Sequence, residues 1–160
     1  MRILDISDKI KNNYLSIPDA EVLAIFNLIE QELALEYFPL YTEEEWKHYP
    51  KVYYKEYSKR PIRITSCENT TYQLHEQYII TKNKKPLGRV EYQYLPDEKI
   101  HITDLTEYDE TFLYIYMYGI ISEYCLQQGN YDEAYIWNMK YKTTIQEKIE
   151  KKGKNLTNGL

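Results

Sequence analysis

Two stretches of helical periodicity, joined by a very short connection, fill the last third of this 160-residue chain. The first stretch has apolar residues at three- and four-residue steps, at Phe112, Ile115, Tyr116, Ile120 and Tyr124. The second has them at Ala134, Trp137, Tyr141, Ile145 and Ile149. Gly129 lies between the two, and glycine is typical of the left-handed position that ends a helix. Because so short a connection makes neighbouring helices pack antiparallel, residues 108–150 are predicted to form a hairpin with arms about 30 Å long.

A further helix is predicted closer to the start of the chain. Ser16 can cap it, Pro18 suits its first turn and Pro39 ends it, which gives bounds of 18–37. Its apolar face consists of Val22, Ile25, Phe26, Ile29 and Leu33. A weaker helical pattern precedes this helix, at Ile3, Ile6 and Ile10.

Between these helices the periodicity changes from helical to alternating. One strand is predicted from Tyr72, Leu74, Tyr78 and Ile80, and a second from Val90, Tyr92 and Tyr94. The two are joined by a polar turn at 82–86, and flanking strands are predicted near Ile62 and at 100–103. Thr42 followed by Glu45 resembles a capping box, which predicts one or two helical turns through Trp46.

These elements together predict an α+β, mainly α fold. It is a helical bundle with a long C-terminal antiparallel helix hairpin and a small antiparallel β-sheet insert over residues 62–103. Residues 1–150 are expected to form a single domain, and the polar residues 151–160 a C-terminal tail.

Tyrosine is the compositional outlier, with 19 residues against 3 phenylalanines and 2 tryptophans. Its large ring and water-tolerant hydroxyl suit surfaces that are first exposed and later covered by a partner. The alternative is that tyrosine has replaced phenylalanine and leucine in an ordinary core. Both interpretations stay open for the aromatic stretch from Tyr49 to Tyr57, which is either a loop packed on the core or a surface that meets a partner.

The net charge of −5 removes the overall positive field that drives nucleic-acid binding. No apolar run approaches the roughly 20 residues of a membrane helix. The start of the chain has no apolar signal core, since Asp5, Asp8 and Lys9 interrupt it. We therefore expect no membrane association.

No catalytic, cofactor-binding or metal-binding residue is predicted, and the chain is not expected to be an enzyme. The histidines, His48, His75 and His101, lack a second ligand at metal spacing. Cys67 and Cys125 are expected to be reduced thiols, with a single bridge between them left open. The acidic groups are interpreted as charge at helix N-termini, and no carboxylate is expected to be perturbed by burial; these groups are Glu43, Glu44, Glu45, Asp104, Glu107, Asp109 and Glu110.

Lysines concentrate in two places, at Lys82, Lys84 and Lys85 and again near the end of the chain. Each group is either solvated charge or a docking element for an acidic partner. The last ten residues also contain Leu156 and Leu160, which suit anchors that become ordered on binding.

The segment from Val90 to Ile145 has a recognisable order of motifs. They are, in sequence, Tyr92-Gln93-Tyr94-Leu95-Pro96, an acidic linker, Tyr118-Gly119, Glu123-Tyr124, Gly129, Glu133-Ala134, Trp137 and Tyr141. In this order the segment, about a third of the chain, resembles the head–tail connector (adaptor, neck ring) proteins of tailed bacteriophages. That group includes the tail tubular and ring proteins of short-tailed phages.

The resemblance implies a structural virion protein, made in the bacterial cytoplasm, that forms an oligomeric ring in the phage neck, commonly of twelve copies. Its partners would be other copies of itself, the portal protein and the next tail or neck ring, and DNA would pass through its lumen without specific binding. A chain of net charge −5 agrees with such a channel, because a uniformly basic one would grip the phosphates. The alternative is a small non-enzymatic adaptor or regulatory protein that binds a partner through its helical hairpin.

The resemblance also implies roles for particular residues. A portal-docking tail would consist of Lys151, Lys152, Lys154, Leu156 and Leu160. Contacts between subunits or rings would involve Tyr53, Tyr54, Tyr57, Tyr92 and Tyr94. The hairpin core would use Gly119 for close helix approach, Gly129 for the turn, and Trp137 with Tyr141 for packing.

Overall fold

A computed structural model of the chain describes residues 1–53 and 59–158, and for residues 154–158 it describes the backbone alone. The helices are α1 (Ile3–Asn13), α2 (Asp19–Glu32), α3 (Leu113–Gln127) and α4 (Tyr131–Asn158). A π-helical turn, Leu33–Tyr37, continues α2, and a 3-10 turn, Glu110–Phe112, leads into α3. The strands are β1 (Leu40–Trp46), β2 (Lys51–Tyr53), β3 (Arg60–Cys67), β4 (Tyr72–Leu74), β5 (Tyr78–Thr81) and β6 (Gly88–Leu95). The predicted α+β, mainly α fold class is confirmed.

The chain forms two compact units rather than one continuous bundle. The helical unit comprises residues 1–33 and 98–160, and the β unit comprises residues 34–97. None of the helices described in residues 1–53 and 59–158 carries an apolar stretch long enough to cross a membrane.

The helical unit contains the predicted hairpin, since α3 packs against α4 along its length. Gly129 has a φ of +79°, and the N–H of Asn130 donates to the carbonyl of Cys125 at 2.9 Å. This six-to-one hydrogen bond and left-handed glycine form a Schellman motif, which ends α3 and starts the turn. The second arm is longer than predicted, because α4 runs through Asn158 and includes residues 151–158 of the segment expected to form the tail.

The other helices of this unit lie close to their predicted positions. α2 together with its π-helical turn covers 19–37, against the predicted 18–37, and α1 covers the weaker pattern before it. Their predicted apolar faces are buried and pack against α3. Helical spacing therefore gave the correct core positions in both helices.

Residues 98–109, called the strap below, contain no helix or strand and form one isolated bridge, between Leu105 and Arg2. The strand predicted at 100–103 is therefore wrong. The Asp104 carboxylate accepts hydrogen bonds from the backbone N–H groups of Ile100 and His101, at 3.0 and 2.9 Å. These bonds lower the pKa of Asp104 and bend the backbone into a turn, which removes the donors that a strand would need.

In its described residues, 34–53 and 59–97, the β unit has two three-stranded antiparallel sheets, in the orders β1-β6-β3 and β2-β5-β4. The strands begin at Leu40 and end at Leu95, so they are shifted from the predicted insert at 62–103. Both sheets contribute to one core, made of Trp46, Val52, Ile79, Leu87, Val90, Tyr92 and Tyr94. β6 keeps its predicted alternation, with Val90, Tyr92 and Tyr94 inside.

Three details of the β unit differ from prediction. The helical turns predicted through Trp46 are wrong, because this segment is strand β1 and pairs with β6 from Leu40↔Tyr94 to Trp46↔Gly88. Residues 72–80 form two strands, β4 and β5, and a reversal between them turns Ile79 inward in place of Tyr78 and Ile80. The turn at 82–86 joins strands of different sheets, so it is not the tip of a hairpin.

Candidate interaction surface

The outward side of α4 is apolar over its first half. Tyr131, Tyr135, Ile136 and Met139 are 69%, 66%, 54% and 53% exposed. Tyr131, Tyr135 and Met139 follow one another at four-residue steps and so form a single ridge, and Ile136 lies three residues before Met139 on its flank. We call these four residues the α4 patch. Large apolar side chains this exposed, and this close together, are typical of surfaces that bind another molecule.

The opposite side of α4 is already used by the hairpin. Ala134, Tyr141 and Ile145 are buried against neighbouring helices. A Cβ added at Gly119 would lie 2.9 Å from Tyr141 Cε1 and 3.1 Å from Ile29 Cδ1, so the absence of a side chain there allows α3, α4 and α2 to approach closely. Gly129 has open space around its Cα, and its role is conformational. The α4 patch thus lies on a side of the helix that stays exposed in the folded chain.

An aromatic cluster borders the inner side of α4. The Trp137 ring lies 5.0 Å from that of Tyr14 in an edge-on arrangement and 5.8 Å from that of Tyr118, which in turn lies 6.0 Å from Tyr114. Lys140 Nζ is 4.5 Å from the centre of the Trp137 ring, within cation–π range. Tyr14 and Tyr114 remain partly exposed, so the cluster extends the apolar surface around the helix. Trp137 is half-buried in this cluster.

The second half of α4 has a different surface chemistry. Lys142 forms an ion pair with Glu32 at 3.3 Å, and Lys148 Nζ binds Thr111 Oγ1 at 2.7 Å beneath the Phe112 ring. Lys151 and Lys152 are exposed at its end. Over the α4 side chains that the structure describes, which end at residue 153, the large exposed apolar residues lie in the first half, and the second half is polar and rich in lysine.

The predicted portal-docking residues are only partly described. Lys151 and Lys152 lie on exposed turns of α4. Lys154 and Leu156 belong to the same helix, with only their backbone described, and Leu160 lies outside the described residues.

The tyrosines predicted to meet another subunit fall into three groups. Tyr53 is 36% exposed, at the end of β2, where its ring lies 5.8 Å from that of Tyr78. Tyr54 and Tyr57 lie outside the described residues. Tyr92 and Tyr94 are 0% and 9% exposed, so the intersubunit role predicted for these two is wrong. They point inward from the central strand β6, and the Tyr92 ring packs 5.3 Å from that of Trp46.

The acidic residues interpreted as helix-start charge have more varied roles. Glu43, Glu44 and Glu45 lie on strand β1, where Glu43 pairs with Arg89 and Glu44 accepts a hydrogen bond from the Tyr92 hydroxyl. Asp109 does serve a helix start, since its carboxylate accepts from the Thr111 N–H at 2.9 Å. The Thr111 hydroxyl also donates to this carboxylate, and the two hydrogen bonds lower the pKa of Asp109.

One carboxylate is buried, contrary to prediction. The Glu30 side chain on α2 is 1% exposed, and its Oε2 accepts from the Tyr116 hydroxyl at 2.6 Å and from the Glu107 N–H at 2.9 Å. Burial raises the pKa of Glu30, and burial beside this carboxylate also raises the pKa of Tyr116. The sequence contained a signal for it, because Glu30 follows Phe26 by four residues on the apolar face of α2.

The remaining reactive side chains form no assembled centre in the residues that the structure describes. Cys67 and Cys125 are both free thiols, and burial raises the pKa of each. His75 stacks on the Tyr78 ring at 4.6 Å. Among the described residues, no group of three histidine, cysteine or carboxylate side chains is arranged to hold a metal ion.

No family model matches this chain, and the search of curated proteins likewise found no match.

Proposed function

We propose that this protein is a structural subunit that assembles with copies of itself into a ring in the neck of a tailed phage, between portal and tail. The α4 patch is the single observation that carries the proposal. It is a compact group of exposed aromatic and apolar side chains on a helix. A subunit that assembles with copies of itself needs such a surface, whereas a protein that stays monomeric rarely exposes one.

The size of the patch supports a contact surface of ordinary dimensions. Four side chains that are each more than half exposed present on the order of 400 Å² of apolar surface. A stable protein interface covers about 800 Å² on each partner, with an apolar centre and a polar rim. The α4 patch would form the centre, and neighbouring polar residues such as Asp132 and Thr143 would form the rim.

A ring requires each copy to use two different surfaces, one toward each neighbour. Helices suit this contact because their exposed ridges fit into the grooves of a neighbouring helix. The lysines at the end of α4 would then face the portal, as the resemblance to connector proteins implies. Tyr53 stays a proposed contact with the next ring.

Size measurement with point variants tests this proposal. The full-length chain would be mixed with the portal protein encoded in the same genome, and the mass of the product would be measured by light scattering and its shape by negative-stain electron microscopy. We expect a ring bound to the portal. Tyr135→Lys and Met139→Lys each place a charge in the α4 patch, and each should abolish the ring without unfolding the chain.

Gln146→Lys is the matched control. Gln146 is exposed on the same side of α4 but in its polar half, so a new lysine there should leave assembly unchanged. A wild-type chain that stays monomeric with and without portal would overturn the proposal. Specific binding to a helix of some other protein, abolished by the same two substitutions, would identify the chain as an adaptor that works through its hairpin.

A further inference from the structure

The strap is fastened to α2 at two points that are about one turn apart. The side-chain amide of Asn27 binds the backbone of Lys99 twice: Nδ2 donates to the Lys99 carbonyl at 3.0 Å, and Oδ1 accepts from the Lys99 N–H at 2.8 Å. The second point is Glu30, whose Oε2 accepts from the Glu107 N–H at 2.9 Å. The Asn27 amide does not titrate, whereas Glu30 is a carboxylic acid. Of these two side chains on α2, only Glu30 can therefore respond to pH.

The strap also holds the start of α1. The N–H groups of Ile3 and Leu4 donate to the carbonyls of Asp104 and Ile102, at 3.0 and 2.7 Å. The Thr106 N–H donates to the Met1 carbonyl at 2.8 Å. Opening of the strap would therefore release the first turn of α1 at the same time.

The surroundings of Glu30 compensate its charge incompletely. Oε2 has two donors, but Oε1 is buried and has no hydrogen bond among the described residues. Among the described residues, the cation that pairs with this oxygen is Lys99, whose Nζ is 3.8 Å from Glu30 Oε1 and 3.1 Å from Glu107 Oε1, so Lys99 lies closer to the second carboxylate.

The charged and titratable groups that face Glu30 come from two neighbouring elements. The strap contributes Lys99 and Glu107, and α3 contributes Tyr116, whose ring lies 6.4 Å from that of Tyr108. On the adjacent helices, Lys142 of α4 forms an ion pair with Glu32, and Asp5 of α1 forms one with Arg2.

We propose that Glu30 makes the strap a proton-controlled clasp, which is held closed most firmly when Glu30 is neutral and opens in a larger fraction of molecules when Glu30 is ionised. An ionised carboxylate gains hydration when the strap lifts, because water reaches the oxygen that lacks a hydrogen-bond donor in the closed state. A neutral carboxyl gains much less and keeps both hydrogen bonds to Oε2.

The direction of the pH dependence follows from linkage. Burial raises the pKa of Glu30 above 4.5 in the closed state, against the lowering influence of Tyr116, Glu107 N–H and Lys99, and opening returns the group to water. A group whose pKa is higher in the closed state favours closure fully below the open-state pKa. That contribution is lost as pH rises through the closed-state pKa, and the opening equilibrium constant increases by at most tenfold for each pH unit.

Hydrogen exchange of single backbone amides tests the clasp in the full-length protein. Protection of the Glu107 and Lys99 amides would be measured by NMR from pH 4 to pH 8 and corrected for intrinsic exchange rates. We expect protection to fall as pH rises above 4.5 and then to level off, with the Ile3 and Leu4 amides following the same curve. Protection that does not change with pH would overturn the proposal.

Matched variants separate Glu30 from other titrating groups. Glu30→Gln should give protection that is independent of pH, whereas Glu32→Gln, which changes an exposed carboxylate two residues away, should behave as wild type. An unchanged pH dependence in Glu30→Gln would contradict the clasp. If that variant does not fold, Tyr116→Phe provides the test: loss of one donor to the carboxylate should extend the pH-dependent range upward, and an unchanged range would contradict the proposal.

Discussion

Each unit of the molecule places a tyrosine hydroxyl 2.6 Å from a glutamate that points inward. In the helical unit Tyr116 donates to Glu30, and in the β unit Tyr92 donates to Glu44. The two carboxylates differ in their access to water, since Glu30 is 1% exposed while Glu44 is half-buried at the edge strand β1. The tyrosine–glutamate pair therefore connects α2, α3 and the strap around a buried carboxylate in the helical unit. In the β unit it connects the adjacent strands β1 and β6.

The comparison bears on the unusual abundance of tyrosine. Tyr92 and Tyr116 are fully buried, so part of the tyrosine content belongs to the core, where each ring fills apolar space and each hydroxyl satisfies a carboxylate. Tyr131 and Tyr135 lie mostly in solvent. Both interpretations of the composition thus apply to different tyrosines, and the position on the helix or strand decides which.

The largest expected effect is that of Glu30→Ala. It leaves the Glu107 N–H and the Tyr116 hydroxyl buried without their acceptor, and we expect the free energy of unfolding of the helical unit to fall by roughly 3–4 kcal/mol. Urea unfolding followed by circular dichroism measures the change. Glu32→Ala is the control, and because its ion pair with Lys142 is exposed, it should cost no more than about 0.5 kcal/mol. Equal losses of unfolding free energy in Glu30→Ala and Glu32→Ala would mean that the buried carboxylate contributes no more to stability than the exposed one.

Tyr116→Phe should have the next largest effect. It keeps the ring but removes a donor to a buried carboxylate, and we expect a loss of about 2 kcal/mol in the free energy of unfolding. The same urea experiment at neutral pH and again near pH 4 sharpens the result, since the loss should shrink when Glu30 is protonated. A loss that is the same at both pH values would indicate that the hydroxyl does not act through the charge of Glu30.

Tyr92→Phe should cost less, about 1 kcal/mol, because water can partly solvate the half-buried Glu44 when the hydroxyl is removed. Hydrogen exchange at the β1 and β6 amides measures this change within the β unit. A loss larger than that of Tyr116→Phe would reverse the comparison between the two pairs.

The smallest effect is expected for Tyr135→Ser, because Tyr135 neither fills a core with its ring nor donates to a carboxylate of the described residues. Its side chain is 66% exposed, so we expect the free energy of unfolding to change by less than about 0.5 kcal/mol. Thermal unfolding of the monomer checks this. A large loss of stability would mean that Tyr135 packs within its own chain and would weaken the proposed assembly surface.

The helices could be predicted from the sequence because their signals are local. The spacing of Ile25, Ile29 and Leu33, and the glycine after α3, depend on neighbours within a few residues. The pairing of β1 with β6 depends on residues about fifty positions apart, and β1 has the polar residues Thr42 and Glu44 on its inner side. Because both faces of β1 carry polar residues, the strand shows no clear alternation of apolar and polar positions. The capping-box pattern of Thr42 and Glu45 therefore led to a helix being predicted there.

The candidate site was less predictable than the fold. The first half of α4 has apolar residues around most of its circumference, and the sequence does not show which of them a neighbouring helix covers. Tyr141, predicted to lie in the hairpin core, is buried, and Trp137, predicted to lie there too, is half-buried. Tyr131, Tyr135, Ile136 and Met139 became recognisable as a surface only once the packing was known. The burial of Glu30 likewise depends on the strap, which has no periodic signal.

Strand β1 has a consequence for how copies of this molecule can meet. It lies at the edge of its sheet, with β6 as its partner in the described residues, and an edge strand can pair with a strand of another molecule. Three successive glutamates, Glu43 to Glu45, occupy this strand, and two such strands brought side by side would concentrate six acidic groups. Repulsion between these carboxylates disfavours pairing of the β1 edges of two molecules. Contact between helices is then the less hindered way for copies to associate.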